Sequence, residues 1–120
     1  MKIICYTLKK AVNMEFNEIK KEVKGLGCET LRTDSDNFFE AVIIKEELSR
    51  LNERLQNFFG EPAWPSKDKL SFQAQETIKG FGGIMPGQTL YFKSQGQDST
   101  FAMLWPWQDG QHTTIKIARK

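Results

Sequence analysis

Between Thr89 and Arg119 the chain reads as three strand-length segments, Thr89–Ser94, Thr100–Trp107 and His112–Arg119, separated by turns at Gly96 and at Asp109-Gly110. Strands joined this closely pair as antiparallel neighbours. Such a sheet must hide at least one of its faces under another layer. Two upstream segments have the apolar period to provide that layer. The first runs from about Asn13 to Lys24, with Val12, Phe16, Ile19, Val23 and Leu26 recurring at helical steps. Glu15 and Glu18 lie early in it and Lys20, Lys21 and Lys24 late, which complements the helix dipole. Gly25 suits a left-handed C-terminal cap. The second runs from Lys45 to Phe59, with Leu48, Leu51, Leu55 and Phe58 on one stripe and Glu46 placed to pair with Arg50. Gly60 ends it.

Residues 2–8 read as a strand, with Ile3, Ile4, Tyr6 and Leu8 apolar on both faces, a pattern of central strands. Residues 28–33 form a short strand candidate, Asp34-Ser35-Asp36-Asn37 a turn, and Phe38–Ile44 the second arm of a hairpin. Glu61-Pro62-Ala63-Trp64-Pro65 is a stiff connector, and Ser66 offers an N-cap for the next segment. Over residues 67–80 both periods fit. Leu70, Phe72 and Ala74 alternate like a strand, Leu70, Ala74, Ile78 and Phe81 repeat like a helix, and the Gln73-Ala74-Gln75-Glu76 composition favours helix. The glycine-rich stretch Gly80–Gly87 is a loop. The expected architecture is a single α+β domain over residues 1–120: a two-layer, largely antiparallel sheet with two or three helices on one face, in the order β-α-β-β-α-(α)-β-β-β. Its first five elements match the opening of a ferredoxin-like unit, and its ending does not.

At 120 residues the chain can build one core without metal or disulfide staples. Aromatics at 12% argue against disorder. A net charge of +2 lacks the basic stripe expected of a nucleic-acid binder. Lys116, Arg119 and Lys120 read as a small solvated basic tail. Cys5 and Cys28 make neither a disulfide framework nor a zinc pattern, and Cys5 reads as a core thiol. No secretory leader opens the sequence and no apolar run nears the ~20 residues of a membrane span, so the expected location is the cytoplasm with no membrane partner.

The last hairpin poses a question of register. A two-residue loop at Asp109-Gly110 pairs Pro106 with Thr113 at a hydrogen-bonded position, which proline cannot fill. A three-residue loop, with Gly110 left-handed, pairs Pro106 with His112 and avoids the conflict. The three-residue register is therefore expected. It puts Phe101, Met103 and Trp105 on one face with Thr113, Ile115 and Ile117, as core. The other register would join Phe101, Met103, Trp105 and Trp107 to His112, Thr114 and Lys116, an aromatic platform suited to binding.

Motifs for catalysis are weak. Gly82–Thr89 has the glycine spacing of a phosphate loop, but Gln88 stands in place of the lysine and the loop precedes a strand. Asp34, Asp36 and Asn37 suggest calcium, yet Phe39 replaces the needed glycine and Lys45 the bidentate glutamate. His112, the only histidine, has no nucleophile signature around it. Glu40 sits between Phe38 and Val42 on one face of an apolar strand, where it must reach an edge, find a cation or shift its pKa. Trp64 is expected to plug a gap between the second helix and the sheet. The reading that results is a non-enzymatic interaction or regulatory module binding a protein partner or a small ligand, with homodimerisation as a further option. The binding candidates are Glu40, Tyr91, Trp107 and His112, with no cofactor and no metal. The alternatives are a small enzyme built on Glu40, Cys28 and His112, and a nucleic-acid module using Lys93, Lys116, Arg119 and stacking on Tyr91.

Overall fold

The computed structural model describes residues 16–66, 69–95 and 98–120, so the expected strand at 2–8, Cys5 and the start of the first helix lie outside the described residues. The elements are α1 (residues 16–24), β1 (Thr30–Asp34), β2 (Phe38–Ile44), α2 (Lys45–Phe59), α3 (Phe72–Lys79), β3 (Thr89–Gln95), β4 (Asp98–Pro106) and β5 (His112–Arg119). The strands form one antiparallel sheet in the order β1-β2-β5-β4-β3. The fold is α+β. A hairpin (β1-β2) and a meander (β3-β4-β5) are joined along β2 and β5.

Strand alternation divides the sheet into two faces. On the first, Phe39, Ala41, Ile43, Tyr91, Ala102, Leu104, Ile115 and Ile117 pack against Phe16, Ile19 and Val23 of α1 and Leu51 and Leu55 of α2. These side chains are all but inaccessible, and each large one removed from water stabilises the fold by about 1.5–3 kcal/mol. Helix α2 follows β2 directly. Its first N–H, on Lys45, donates to the Gln111 carbonyl, which ties the helix to the last hairpin. Arg50 meets Glu47 at 3.2 Å rather than Glu46.

On the second face, Leu90, Phe101, Met103 and Ala118 pack under Ile78 of α3, under Phe81 and Ile84 of the loop that follows it, and under Trp64. Helix α3 therefore lies across the sheet from α1 and α2. The helical period holds for Phe72–Lys79, and the cap is Ser71, whose hydroxyl accepts from the Ala74 N–H, rather than Ser66. Upstream of the helix, Trp64 pairs its backbone with Leu90 and covers part of the β3 edge. Trp64 thus fills this second cluster and not a gap beside α2.

Two further expectations are corrected. Lys116 and Arg119 belong to β5, between β2 and β4, and the Lys120 backbone exchanges hydrogen bonds with Ser99, so these residues are not a solvated tail. The register of the last hairpin is the one that Pro106 argued against: Pro106 stands opposite Thr113 and Trp105 opposite Thr114. The loop closes at Trp107, whose N–H donates to the His112 carbonyl, leaving Gln108–Gln111 as the loop and Gly110 left-handed at φ 69°. That closing bond moves the ladder by one step. Trp107–His112 becomes a hydrogen-bonded pair and Pro106–Thr113 a pair that needs no N–H from proline. The Pro106 nitrogen faces the β3 side, where pairing has already ended at Thr89–Leu104.

Candidate functional site

The register places Trp105, Trp107, His112, Thr114 and Lys116 on the second face, beside Glu40 and Val42 of β2. Helix α3 and its loop cover only the part of this face around Phe101 and Met103. Beyond it Val42 and Thr114 stay buried, and the face opens around Trp107. Trp107 is 38% exposed, and Met85 on the rim of the loop is 61% exposed. Between them lies a cleft of about 470 Å³ whose lining includes Met85, Pro86, Trp105, Pro106, Trp107 and Thr114, together with Gln88 and Gln108.

Each wall is fixed by its neighbours. The Trp107 Nε1–H donates to Thr114 Oγ1 at 2.8 Å, and its ring lies 4.8 Å from the His112 ring. Lys116 Nζ sits 3.8 Å from the centre of the Trp105 ring, a close cation–π contact. Trp105 Nε1 is shielded from solvent and has no acceptor among the described residues. A bulge in β1 sets Arg32 and Thr33 against Glu40. It turns Arg32 onto this face, where its Nη1 lies 3.2 Å from Glu40 Oε2 and its guanidinium 5.8 Å from the Trp107 ring. Across the cleft, the Gly82, Gly83 and Gly87 backbones take positive φ, and Gln88 folds back so that its Oε1 accepts from the Met85 N–H. This is a turn that leads into β3, not a phosphate cradle.

His112 is held between two carboxylates. Its Nδ1 is 2.6 Å from Asp109 Oδ2 and its Nε2 is 2.8 Å from Glu29 Oε2. Both ring nitrogens donate when the ring is an imidazolium. The Asp109 hydrogen bond is the main cause that raises the His112 pKa above its ordinary value, and Glu29 adds to it. Asp109 is in turn held low, first by the Gln111 N–H and then by His112. As an imidazolium donating from both nitrogens, His112 has no free lone pair to act as a base.

The expected site residues separate. Glu40, Trp107 and His112 share the open face. Tyr91 lies on the opposite face at 1% exposure, against Phe59, and presents no ring on which a base could stack. Cys28 packs against the helical core with Sγ 3.8 Å from the Val23 carbonyl, and burial pushes its thiol pKa up. Cys28, Glu40 and His112 therefore do not converge. Asp34 binds Lys20 and Lys24 at 2.9 and 2.7 Å, which holds its carboxyl below the usual range. Among the described residues no cluster of His, Cys, Asp or Glu could hold a metal ion, and no helix is long and apolar enough to cross a membrane. Trp105, Thr114 and Lys116 enter a binding surface from sequence only through the register that Pro106 argued against, Lys116 also through the nucleic-acid alternative, and Arg32 and Met85 do not enter one at all. The signal for most of them was the parity of the last hairpin; for Arg32 it was a bulge that no residue pattern announces. No family model matches the chain, and no curated protein and no solved structure matches it.

Proposed function

We propose that this protein is a non-catalytic interaction module that engages a segment of a protein partner through the Trp105–Trp107 cleft. The observation that carries the reading is an aromatic cleft left open on a sheet face whose other half is covered. Tryptophan in a partly desolvated pocket is a frequent anchor of protein interfaces. Charge supports a protein partner over a nucleic acid, because Arg32 faces Glu40, and His112 faces Glu29 and Asp109. A phosphate backbone is bound by cations that carboxylates do not already neutralise. The pair of cysteines, too few for a disulfide framework, supports placing the module in the cytoplasm.

The test is selection of displayed random peptides on the wild-type chain, with Met85→Asp as the control. Met85 is well exposed, so the charge alters the rim with little effect on folding. Enriched peptides are expected to lose at least about tenfold in affinity for Met85→Asp, the equivalent of ~1.4 kcal/mol. Enrichment of peptides indifferent to Met85→Asp, or no enrichment, defeats the reading.

A further inference from the structure

We infer that the occupant of the cleft is an extended, proline-containing segment, an inference that rests on the cleft being the protein-binding surface. The argument sets the donors of the cleft against its acceptors. None of the residues lining it is charged. With Lys116 stacked on the Trp105 ring and no carboxylate among the lining residues, a cationic anchor would leave water there without an opposite charge to compensate it. The polar groups that remain lean toward donation. Trp105 Nε1–H has no acceptor among the described residues. The Oε1 of Gln88 is engaged by the Met85 N–H, so the free capacity of that side chain lies in its amide hydrogens. Thr114 Oγ1 already accepts from Trp107. Gln108, exposed in the turn, adds an amide that can both donate and accept.

The fitting ligand therefore brings acceptors, few donors and flat apolar surface. A proline residue has a carbonyl and no N–H. In the polyproline II conformation its segments leave every carbonyl unpaired, and they dock into aromatic-lined grooves. A helix uses its carbonyls internally and has fewer to offer. A strand would add to a sheet edge, whereas this cleft lies on a sheet face. Trp105 Nε1 is shielded from solvent in the unbound protein, so a carbonyl reaches it only as the side chains around it shift. The glycines at Gly82, Gly83 and Gly87 place permissive backbone in the loop that carries Met85.

The experiment titrates the isotope-labelled full chain with a decaproline peptide, a glycine-serine peptide of the same length, and cellohexaose, reading the tryptophan indole N–H resonances. Decaproline is expected to shift the Trp105 and Trp107 signals saturably, and the glycine-serine peptide and cellohexaose are not. Trp105→Phe keeps an aromatic wall and drops the donor. It is expected to retain the folded amide spectrum and to weaken decaproline binding about tenfold. Equal binding of the glycine-serine peptide removes the role of proline, and a response to cellohexaose alone replaces the peptide with a sugar. Silence from all three ligands, or undiminished binding by Trp105→Phe, also overturns the inference. Peptides selected by display and lost on Met85→Asp would still uphold the cleft as a protein-binding surface, so the two ideas fail separately.

Discussion

Under α1 and α2 the sheet presents Phe39, Ala41, Ile43, Ile115 and Ile117, all at 0% exposure, while one residue along the same strands it presents Glu40, Thr114 and Lys116 on the opposite side. The two faces share backbone, register and twist. They differ in cover. The first is sealed by two amphipathic helices. The second is covered by the shorter helix α3 and a loop, which leave the Trp105–Trp107 end only partly roofed. Where cover is complete, the strand residues are apolar and interchangeable in role. Where it is partial, polar groups are held by specific partners, Arg32 for Glu40, Thr114 for Trp107, Asp109 and Glu29 for His112, while the Trp105 indole N–H has none among the described residues.

That contrast can be broken by substitution. Phe39→Ala empties a filled site on the sealed face and is expected to cost about 3–5 kcal/mol in urea denaturation. Trp107→Ala removes a larger ring from the open face and is expected to cost markedly less, while abolishing the response to cleft ligands. Equal costs would mean that the open face is core. Gly110→Ala puts a Cβ on a backbone at φ 69° and should destabilise the fold by about 1 kcal/mol, measured in the same way. Thr114→Val deletes the acceptor of the Trp107 indole and is expected to cost about 0.5–1.5 kcal/mol, with a displaced Trp107 indole N–H resonance. An unmoved resonance would show that the indole is not held by this bond.

The smallest expected effect is that of pH. The folded-state pKa of His112 lies above its ordinary value of 6.5. Its pairs with Asp109 and Glu29 therefore contribute fully below 6.5, and their contribution is lost as pH rises through the folded-state value. The depressed Asp109 behaves oppositely: its contribution is present above 3.8 and is lost as pH falls through its lower folded-state value. The two windows do not overlap. The thermal midpoint is expected to drop slightly as pH rises above 6.5, and His112→Gln should remove that slope. A slope unchanged in His112→Gln would assign it to another group.

Much of the fold was legible because it rests on local periodicity. Phe38–Ile44, Lys45–Phe59 and His112–Arg119 fall where alternation and helical stripes put them, since those patterns record which side of an element meets the core. The site was less legible. The conflict at Pro106 was real, but a loop closed at Trp107 resolved it by shifting which pairs carry hydrogen bonds. One residue of parity then moved Trp105 from a face shared with Ile115 to a face shared with Thr114. Tyr91 shows the same dependence: a plausible stacking ring in sequence, it falls on the sealed face, where Phe59 of α2 packs against it.

The sequence by itself determined the elements, their amphipathic sides and the antiparallel class, because each follows from side chains only a few positions apart. Only the tertiary structure decided that α3 crosses to the second face, that a bulge carries Arg32 to Glu40, and that two tryptophans flank a partly roofed cleft. Those outcomes depend on contacts between residues far apart in the chain, where one step of register reverses every side chain and no local pattern records the choice.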